Sequence, residues 1–340
     1  MMDHLTLDTR VGHCDLLAPP AVLRILTDYL SPLVAARVHA PLLTVEARVA
    51  PGAGGAVRPR ATALGPRLSH PTHRYTAWQT DGDVTLLPAT DDHIVRVHGT
   101  TVTVEADNAM IAARVTLRVV RQFILRGAEA RGGLHAHAAV LVSDSGGVLV
   151  AGRSGAGKTT VMTSLVERHG WAPVANDRAV LLPDPAGWLA VGVPLAWRYT
   201  PEGAQGSERL RSALRGAPPL RRGDGLVDGK MEFTPHEAST YLGRRLAAAA
   251  LVSRIVILER AEHGAMDHNE GLASILGFGT DDPFVEDWLA LRDTLGFTPP
   301  RQVAGAWCAL GAAIPVEVHT WTDPTELAGI ADVVGARVTR

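Results

Sequence analysis

Along the first hundred residues the apolar positions switch between two periods. Leu5-Thr6-Leu7 opens an alternating run, the signature of a strand with one buried face. Val22, Leu23, Ile25, Leu26, Leu30 and Leu33 then recur at helical spacing and predict an early helix. Alternation returns over residues 42–50 and stops at Pro51-Gly52-Ala53-Gly54-Gly55, a run that breaks helix and strand alike. Residues 58–71, rich in proline, arginine and histidine, read as an exposed loop. Short alternating runs at 75–79, 84–88, 94–97 and 102–105, with turns such as Asp81-Gly82-Asp83 between them, predict a small antiparallel sheet.

From residue 108 the period becomes helical. Met110, Ile111, Val115, Leu117, Val119, Phe123 and Ile124 predict a long helix reaching about Arg126, with Asp107 or Asn108 as its N-cap. Beyond Gly132-Gly133, residues 137–143 and 148–151 read as two strands of a hairpin closed by Asp144-Ser145-Gly146-Gly147. Residues 160–168 follow as a helix, with Val161, Met162, Leu165 and Val166 on one face and Gly170 placed to stop it. A strand at 172–175 precedes a second hairpin, 179–182 with 188–193, turning at residues 183–187. Residues 201–229 are rich in glycine, proline and arginine and read as a long loop. Order resumes at 230–233. A buried strand at 253–258, a helix at 284–295, a strand at 315–321 and a helix at 324–334, capped near Thr322 or Asp323, complete the chain. The pattern is α/β with mixed sheet, divided into a strand-rich N-terminal domain, residues 1–107, and a second domain, residues 108–340. It contains no internal repeat.

The second hairpin strand runs into Gly152-Arg153-Ser154-Gly155-Ala156-Gly157-Lys158-Thr159, which fits G-x-x-x-x-G-K-[ST] in every fixed position. Glycines let the backbone curl so that successive N–H groups point at phosphate oxygens. The lysine reaches the β- and γ-phosphates, and the adjoining hydroxyl ligates Mg²⁺. The helix that starts at Thr159-Thr160 adds its dipole to the same anion site. Residues 152–160 are therefore expected to bind a nucleoside triphosphate.

Composition narrows the setting. The chain has 340 residues, 46% apolar and 20% charged, which suits a globular chain with a substantial core. Its formal charge of −2 supplies no general attraction for nucleic acid or membrane. The two cysteines, Cys14 and Cys308, have no metal or redox spacing. No basic-then-apolar leader precedes the first strand and no apolar run is long enough to span a bilayer, so a cytoplasmic location is expected. His70, His73, His93 and His98 are scattered without ligand spacing. Self-association into a homo-oligomer stays open.

Three features near the loop carry candidate chemistry. His135 and His137 lie two apart at the start of the hairpin, hence on one strand face. Asn176-Asp177 follows a strand end, where ligands gather in α/β sheets, and the Asp177 carboxylate could bind Mg²⁺ or accept a proton from an attacking hydroxyl. Lys230 follows the arginine-rich stretch containing Arg222 and could neutralise charge on a transferred phosphoryl group or an acidic acceptor. Each has a plainer reading as a structural histidine, a turn cap or a solvated lysine. Ile255-Val256-Ile257-Leu258-Glu259 is the nearest approach to a second nucleotide motif, though Glu259 also reads as an ordinary strand end.

Residues 137–177 resemble the kinase domain of the HPr kinase/phosphorylase family, whose fold is similar to that of phosphoenolpyruvate carboxykinase. The resemblance rests on His137 about fifteen residues before Gly152, the hairpin ahead of the loop, the short helix after it, and Asn176-Asp177 in place of a pair of aspartates. It implies that the loop and Lys158 hold ATP phosphates, that Thr159 with Asp177 holds Mg²⁺, and that His137 and Asp177 belong to the transfer centre, Asp177 as base. Asn176 replaces the first aspartate. The Leu-Glu-Ile-Arg-Gly signature expected downstream is missing, the chain reading Pro194-Leu195-Ala196-Trp197-Arg198-Tyr199 instead. The chain looks closer to the shorter HPr-kinase-like proteins of peptide and natural-product pathways, some of which phosphorylate a serine of a precursor peptide. The match spans about 45 residues, and the N-terminal 107 have none. An ATP-dependent kinase acting on a peptide or protein serine is the expected function. A kinase for a small hydroxylic metabolite, a non-catalytic nucleotide-binding regulator and a motion-coupled NTPase are the alternatives.

Overall fold

The computed structural model describes residues 2–53, 62–70, 73–80, 83–90, 92–215, 226–227, 229–263, 271–279, 282, 284–298 and 303–336. The chain is mixed α/β and divides into two compact units, residues 1–131 with 278–300, and residues 132–277 with 301–340.

The first unit contains β1 (Asp3–Asp8), β2 (His13–Ala18), α1 (Pro20–Leu30), β3 (Val34–Ala35), β4 (Leu43–Val49), β5 (Thr62–His70), β6 (His73–Thr80), β7 (Asp83–Pro88), β8 (His93–His98), β9 (Thr101–Ala106) and α2 (Ala109–Ala130). The strands form one nine-stranded sheet in the order β3-β1-β2-β4-β9-β8-β7-β6-β5. It is larger than the predicted sheet and it is mixed, because β2 with β4 and β4 with β9 pair in parallel. Alternation sets the buried face: Leu43, Val45 and Ala47 of β4 and Val102, Val104 and Ala106 of β9 are buried, and α2 packs on these two strands and on α1.

Three expectations for this unit need correction. Part of the expected loop at 58–71 is strand β5. Among the described residues it pairs with β6 alone and ends the sheet order, and an edge strand is where a proline such as Pro66 is tolerated. The helix expected at 284–295 is confined to Leu291–Thr294. The carbonyls of Phe284 and Val285 instead accept from the Arg126 guanidinium, at 2.8 Å each. Asp287 takes the Leu291 and Arg292 amides at 2.9 and 2.8 Å, which sets the helix start there. Third, α2 does not open the second domain. Asn108 caps it as expected, accepting from the Ile111 amide at 3.0 Å. Its far end, however, carries fully buried Arg126, paired with Glu129 at 2.9 Å, and Glu129 pairs with Arg292 at 2.9 Å. Those bonds lie inside the first unit, so the division falls after Arg131 and not at 107.

The second unit contains β10 (Leu134–Ala136), β11 (Ala138–Ser143), β12 (Gly146–Ala151), α3 (Lys158–His169), β13 (Ala172–Ala175), β14 (Ala179–Asp184), β15 (Gly187–Gly192), β16 (Trp197–Tyr199), α4 (Pro201–Gln205), α5 (Glu208–Leu214), β17 (Leu226–Val227), β18 (Lys230–Phe233), α6 (Pro235–Leu242), β19 (Ala249–Arg260) and α7 (Leu272–Leu276). After α8 (Leu291–Thr294) of the first unit, it is completed by α9 (Val303–Ala313), β20 (Val316–Trp321) and α10 (Glu326–Ala336). Helices α4 and α5 stand inside the stretch read as one long loop, and α9 has no counterpart among the predicted elements.

Its eight-stranded sheet runs β10-β14-β15-β19-β12-β11-β13, with β20 beside β19. Both faces of the centre are covered. Val148, Val150, Val256 and Leu258 pack with Val161, Met162 and Leu165 of α3 and Leu327, Ala331 and Val334 of α10. Leu149, Ala151, Ile255 and Ile257 pack with Leu276 of α7 and Trp307 and Leu310 of α9. Burial on two faces is why β12 and β19 read as nearly continuous apolar runs. Strand direction then positions everything chemical. β12 is parallel to β19, and β19 to β20, while β11 is antiparallel to both β12 and β13. The carboxyl ends of β12, β13, β19 and β20, and the start of β11, therefore share one edge of the sheet.

No helix among the described residues is long and apolar enough to cross a membrane. Cys14, in β2 between Leu7 and Leu43, is fully buried, and burial together with neighbouring Asp15 pushes its thiol up, whereas Cys308 on α9 is exposed. A chromogenic disulfide reagent should therefore react quickly with Cys308 in the native protein and with Cys14 only on unfolding. Rapid reaction of Cys14 would contradict this packing of β2.

Candidate functional site

The site is built at the shared edge. β12 ends at Ala151 and the loop that follows turns on glycines. Gly152 has φ +147°, and a Cβ there would stand 2.5 Å from the Leu258 carbonyl of β19. Gly157, with φ +90°, sits against Leu327 of α10, and a Cβ would come within 2.7 Å of its methyl groups. Both positions need glycine on two counts, left-handed backbone and close approach. Gly157 is also the N-cap of α3, with no side chain capping the helix. Its first-turn amides remain available to an anion, reinforced by the helix dipole.

A residue far away in sequence braces the loop. The Trp321 indole N–H, at the end of β20, donates to the Ala156 carbonyl at 3.0 Å. The Arg260 guanidinium lies 5.3 Å from the centre of the same Trp321 ring and pairs with Glu262 at 2.8 Å.

Lys158 bends back over the loop, donating to the Gly152 carbonyl at 2.7 Å and the Arg153 carbonyl at 3.3 Å. Burial lowers its pKa; the Asp177 charge opposes that shift, and the charges of Arg178 and Lys230 add to it. These interactions place Asp177, Arg178 and Lys230 within electrostatic reach of the loop lysine. Arg153, Ser154 and Gly155 are exposed at the loop's crown, while Thr159 and Thr160 are half-buried.

The two residues after β13 divide the remaining work. Asn176 is buried, and its Oδ1 accepts from the Thr159 hydroxyl at 3.4 Å. Asp177 is held on both oxygens: Oδ1 lies 2.9 Å from Nε2 of His137, and Oδ2 accepts from Nη1 of Arg178 at 2.6 Å. The side chains of His137, Asp177 and Arg178 are 32%, 42% and 14% exposed. Burial alone would raise the Asp177 carboxyl. The hydrogen bond from His137 and the charges of Arg178, His137 and Lys158 outweigh it and hold the group well below the usual carboxylate range. Asp177 is therefore an anion throughout the physiological range.

His135 and His137 were expected on one strand face; His135 lies in β10 and His137 is the single residue between β10 and β11. The chain breaks at His137, whose amide donates to the Leu276 carbonyl at 2.6 Å, while His135 stays in β10 opposite Val180. Lys230 opens β18 opposite Val227. Arg222 lies outside the described residues. Arg178 and Trp321 were not singled out by sequence reasoning. Arg178 was in plain view beside Asp177, but no local pattern marks Trp321.

The Thr159 hydroxyl and the Asn176 side-chain oxygen, 3.4 Å apart, with Asp177 next in the chain, are oxygen donors of the kind that Mg²⁺ takes, an ion that uses few protein ligands and keeps several waters. Among the described residues no group of three or more His, Cys, Asp or Glu side chains forms a metal cluster. His93 instead hydrogen-bonds Tyr75 at 2.9 Å and Asp92 at 2.5 Å, and His98 pairs with Asp83.

No protein-family model matches the chain, and no curated protein matches it. Among solved structures, the Hpr(Ser) kinase/phosphatase from Coxiella burnetii is similar to it at 19% identity and a TM-score of 0.23, over 41% of this chain and 73% of that one.

The brace on the loop can be tested directly. Trp321→Phe keeps the ring and removes the N–H, leaving the Ala156 carbonyl without that donor. The expected cost is about 1–2 kcal/mol of stability, with weaker ATP binding in titration calorimetry. Unchanged affinity would show that the loop holds its shape without this bond.

Proposed function

We propose that the unit formed by residues 132–277 and 301–340 is an ATP-dependent kinase that transfers the γ-phosphoryl group to a hydroxyl, the acceptor being a serine of a peptide or protein. The observation that carries this reading is the meeting of Lys158 and the α3 N-terminus with the doubly held Asp177 at one sheet edge. A bare nucleotide pocket needs only the first half of that arrangement. The serine acceptor follows the resemblance of residues 137–177 to HPr-kinase-like proteins, as does the core fold similar to phosphoenolpyruvate carboxykinase. A cytoplasmic setting, where ATP and Mg²⁺ are plentiful, belongs to the same proposal.

Phosphoryl transfer asks for positioning and charge stabilisation more than for covalent chemistry. The loop amides and Lys158 hold the β- and γ-phosphates. Thr159, Asn176 and Asp177 would hold Mg²⁺, which when bound neutralises charge on the phosphate oxygens. Lys230 supplies further positive charge beside Lys158. The acceptor oxygen forms a bond to the γ-phosphorus as the bond to the ADP oxygen breaks, and the hydroxyl proton passes to Asp177. A carboxylate this acidic is a weak base, which suits a loose transition state in which the proton moves late. The hydrogen bond from His137 fixes the orientation of the carboxylate.

Incubation with γ-labelled ATP, Mg²⁺ and a panel of serine peptides and small hydroxylic metabolites should label an acceptor. Asp177→Asn should lower that rate by about a hundredfold or more, with ATP affinity nearly unchanged. Full turnover by the variant would remove Asp177 from the chemistry. Label on a metabolite alone would move the acceptor class. Nucleotide binding without transfer to any acceptor would favour a regulator.

A further inference from the structure

The loop, Lys158 and Asp177 account for the phosphates and leave the rest of the nucleotide unplaced. We infer that Arg260, at the carboxyl end of β19, is the platform on which the purine base of the bound nucleotide stacks. The inference rests on the reading of residues 152–160 as a triphosphate site and names the part of that site that takes the base.

Sheet order sets the direction in which a nucleotide lies. β11 and β13, whose ends carry His137 and Asp177, stand on one side of β12, and β19 and β20 stand on the other. With the γ-phosphate toward Asp177, the nucleoside leaves the loop over the ends of β19 and β20. Arg260 is there by register and by contact. Ile257 lies opposite Ala151, so Arg260, three residues on, stands about 10 Å further along β19, on the loop side of the sheet edge. It is the register partner of Trp321 in β20, and its guanidinium lies 5.3 Å from the centre of the Trp321 ring. The same indole donates to the Ala156 carbonyl at 3.0 Å. Two contacts therefore join the guanidinium to the loop.

Planarity is the second support. Bases stack on guanidinium planes as they do on aromatic rings, and a platform fixed in advance loses little freedom on binding. Arg260 is held twice: Trp321 lies against its guanidinium, and the Glu262 carboxylate accepts from Nε at 2.8 Å. Trp321 is only 3% exposed, so its own ring is closed to a ligand, whereas the Arg260 side chain is 35% exposed. The buried indole thus supports a flat cation that solvent reaches beside the loop. The competing account gives Arg260 no task beyond packing on Trp321 and so steadying the loop.

A ligand without a base separates the two. Wild type, Arg260→Ala and Arg260→Lys are titrated with ATP in a calorimeter, with a chelator present to prevent turnover. Inorganic tripolyphosphate is read by its displacement of ATP, and circular dichroism verifies the fold. If Arg260 carries the base, Arg260→Ala weakens ATP by about tenfold and tripolyphosphate by less than about twofold. Arg260→Lys, which keeps the charge and loses the plane, follows Arg260→Ala. Equal weakening of the two ligands, or of neither, overturns the assignment, since a residue that only steadies the loop or adds to its field acts on the phosphates alone. Full ATP affinity in Arg260→Lys overturns it too, as does a wild type that binds tripolyphosphate as tightly as ATP. Should Arg260→Ala not fold, Arg260→Lys reads the same ATP-to-tripolyphosphate ratio, and an unchanged ratio there overturns it equally. A wild-type chain that binds neither ligand overturns the triphosphate site itself, a result distinct from all of these.

Discussion

The close approach of two backbones governs the site. The turn at Gly152 is possible only because no side chain stands between it and the Leu258 carbonyl, where a Cβ would be 2.5 Å away. That approach follows from parallel pairing of β12 with β19, in which Ala151 lies opposite Ile257. The same pairing puts the loop, the end of β19 and the end of β20 on one edge, so that Trp321 can reach the Ala156 carbonyl. With β11 and β13 on the other side of β12, Asn176 and Asp177 arrive at that edge as well. The placement of the glycine loop and that of Asn176-Asp177 are both consequences of strand direction.

Charges of both signs act on the loop lysine. Lys158, Arg178 and Lys230 are positive, Asp177 is negative, and Asn176 is neutral where the resembling family carries a second aspartate. Among these groups positive charge exceeds negative, which suits a polyanion such as a triphosphate. Asn176 keeps an oxygen beside Thr159 without adding charge. Its neutrality is compatible with a metal-ligating role and not with proton transfer, which the proposed mechanism gives to Asp177.

The legible parts of the sequence were those where chemistry or packing fixes residue spacing. The turn after β12 is one, since Gly152 and Gly157 stand where its backbone needs them. The helices α1, α2 and α3 are another, because each shows one apolar face to a sheet or a neighbouring helix. What stayed hidden depended on partners distant in sequence. Residues 284–290 carry a helical pattern, but the carbonyls of Phe284 and Val285 accept from Arg126, 158 and 159 residues earlier. Pro66 argued against a strand and is tolerated because β5 is an edge. Trp321 acts 165 residues away from the loop it braces.

The central claim is that the sheet edge at Gly152–Thr159 and Asp177 is a triphosphate site with a reaction centre beside it. A crystal structure of the chain with Mg²⁺ and a non-hydrolysable ATP analogue tests it most directly. The account predicts β- and γ-phosphates against the loop amides and Lys158, and the metal between Thr159 and Asp177. Phosphates bound elsewhere, or bound at the loop with Asp177 remote from the γ-phosphate, would contradict it.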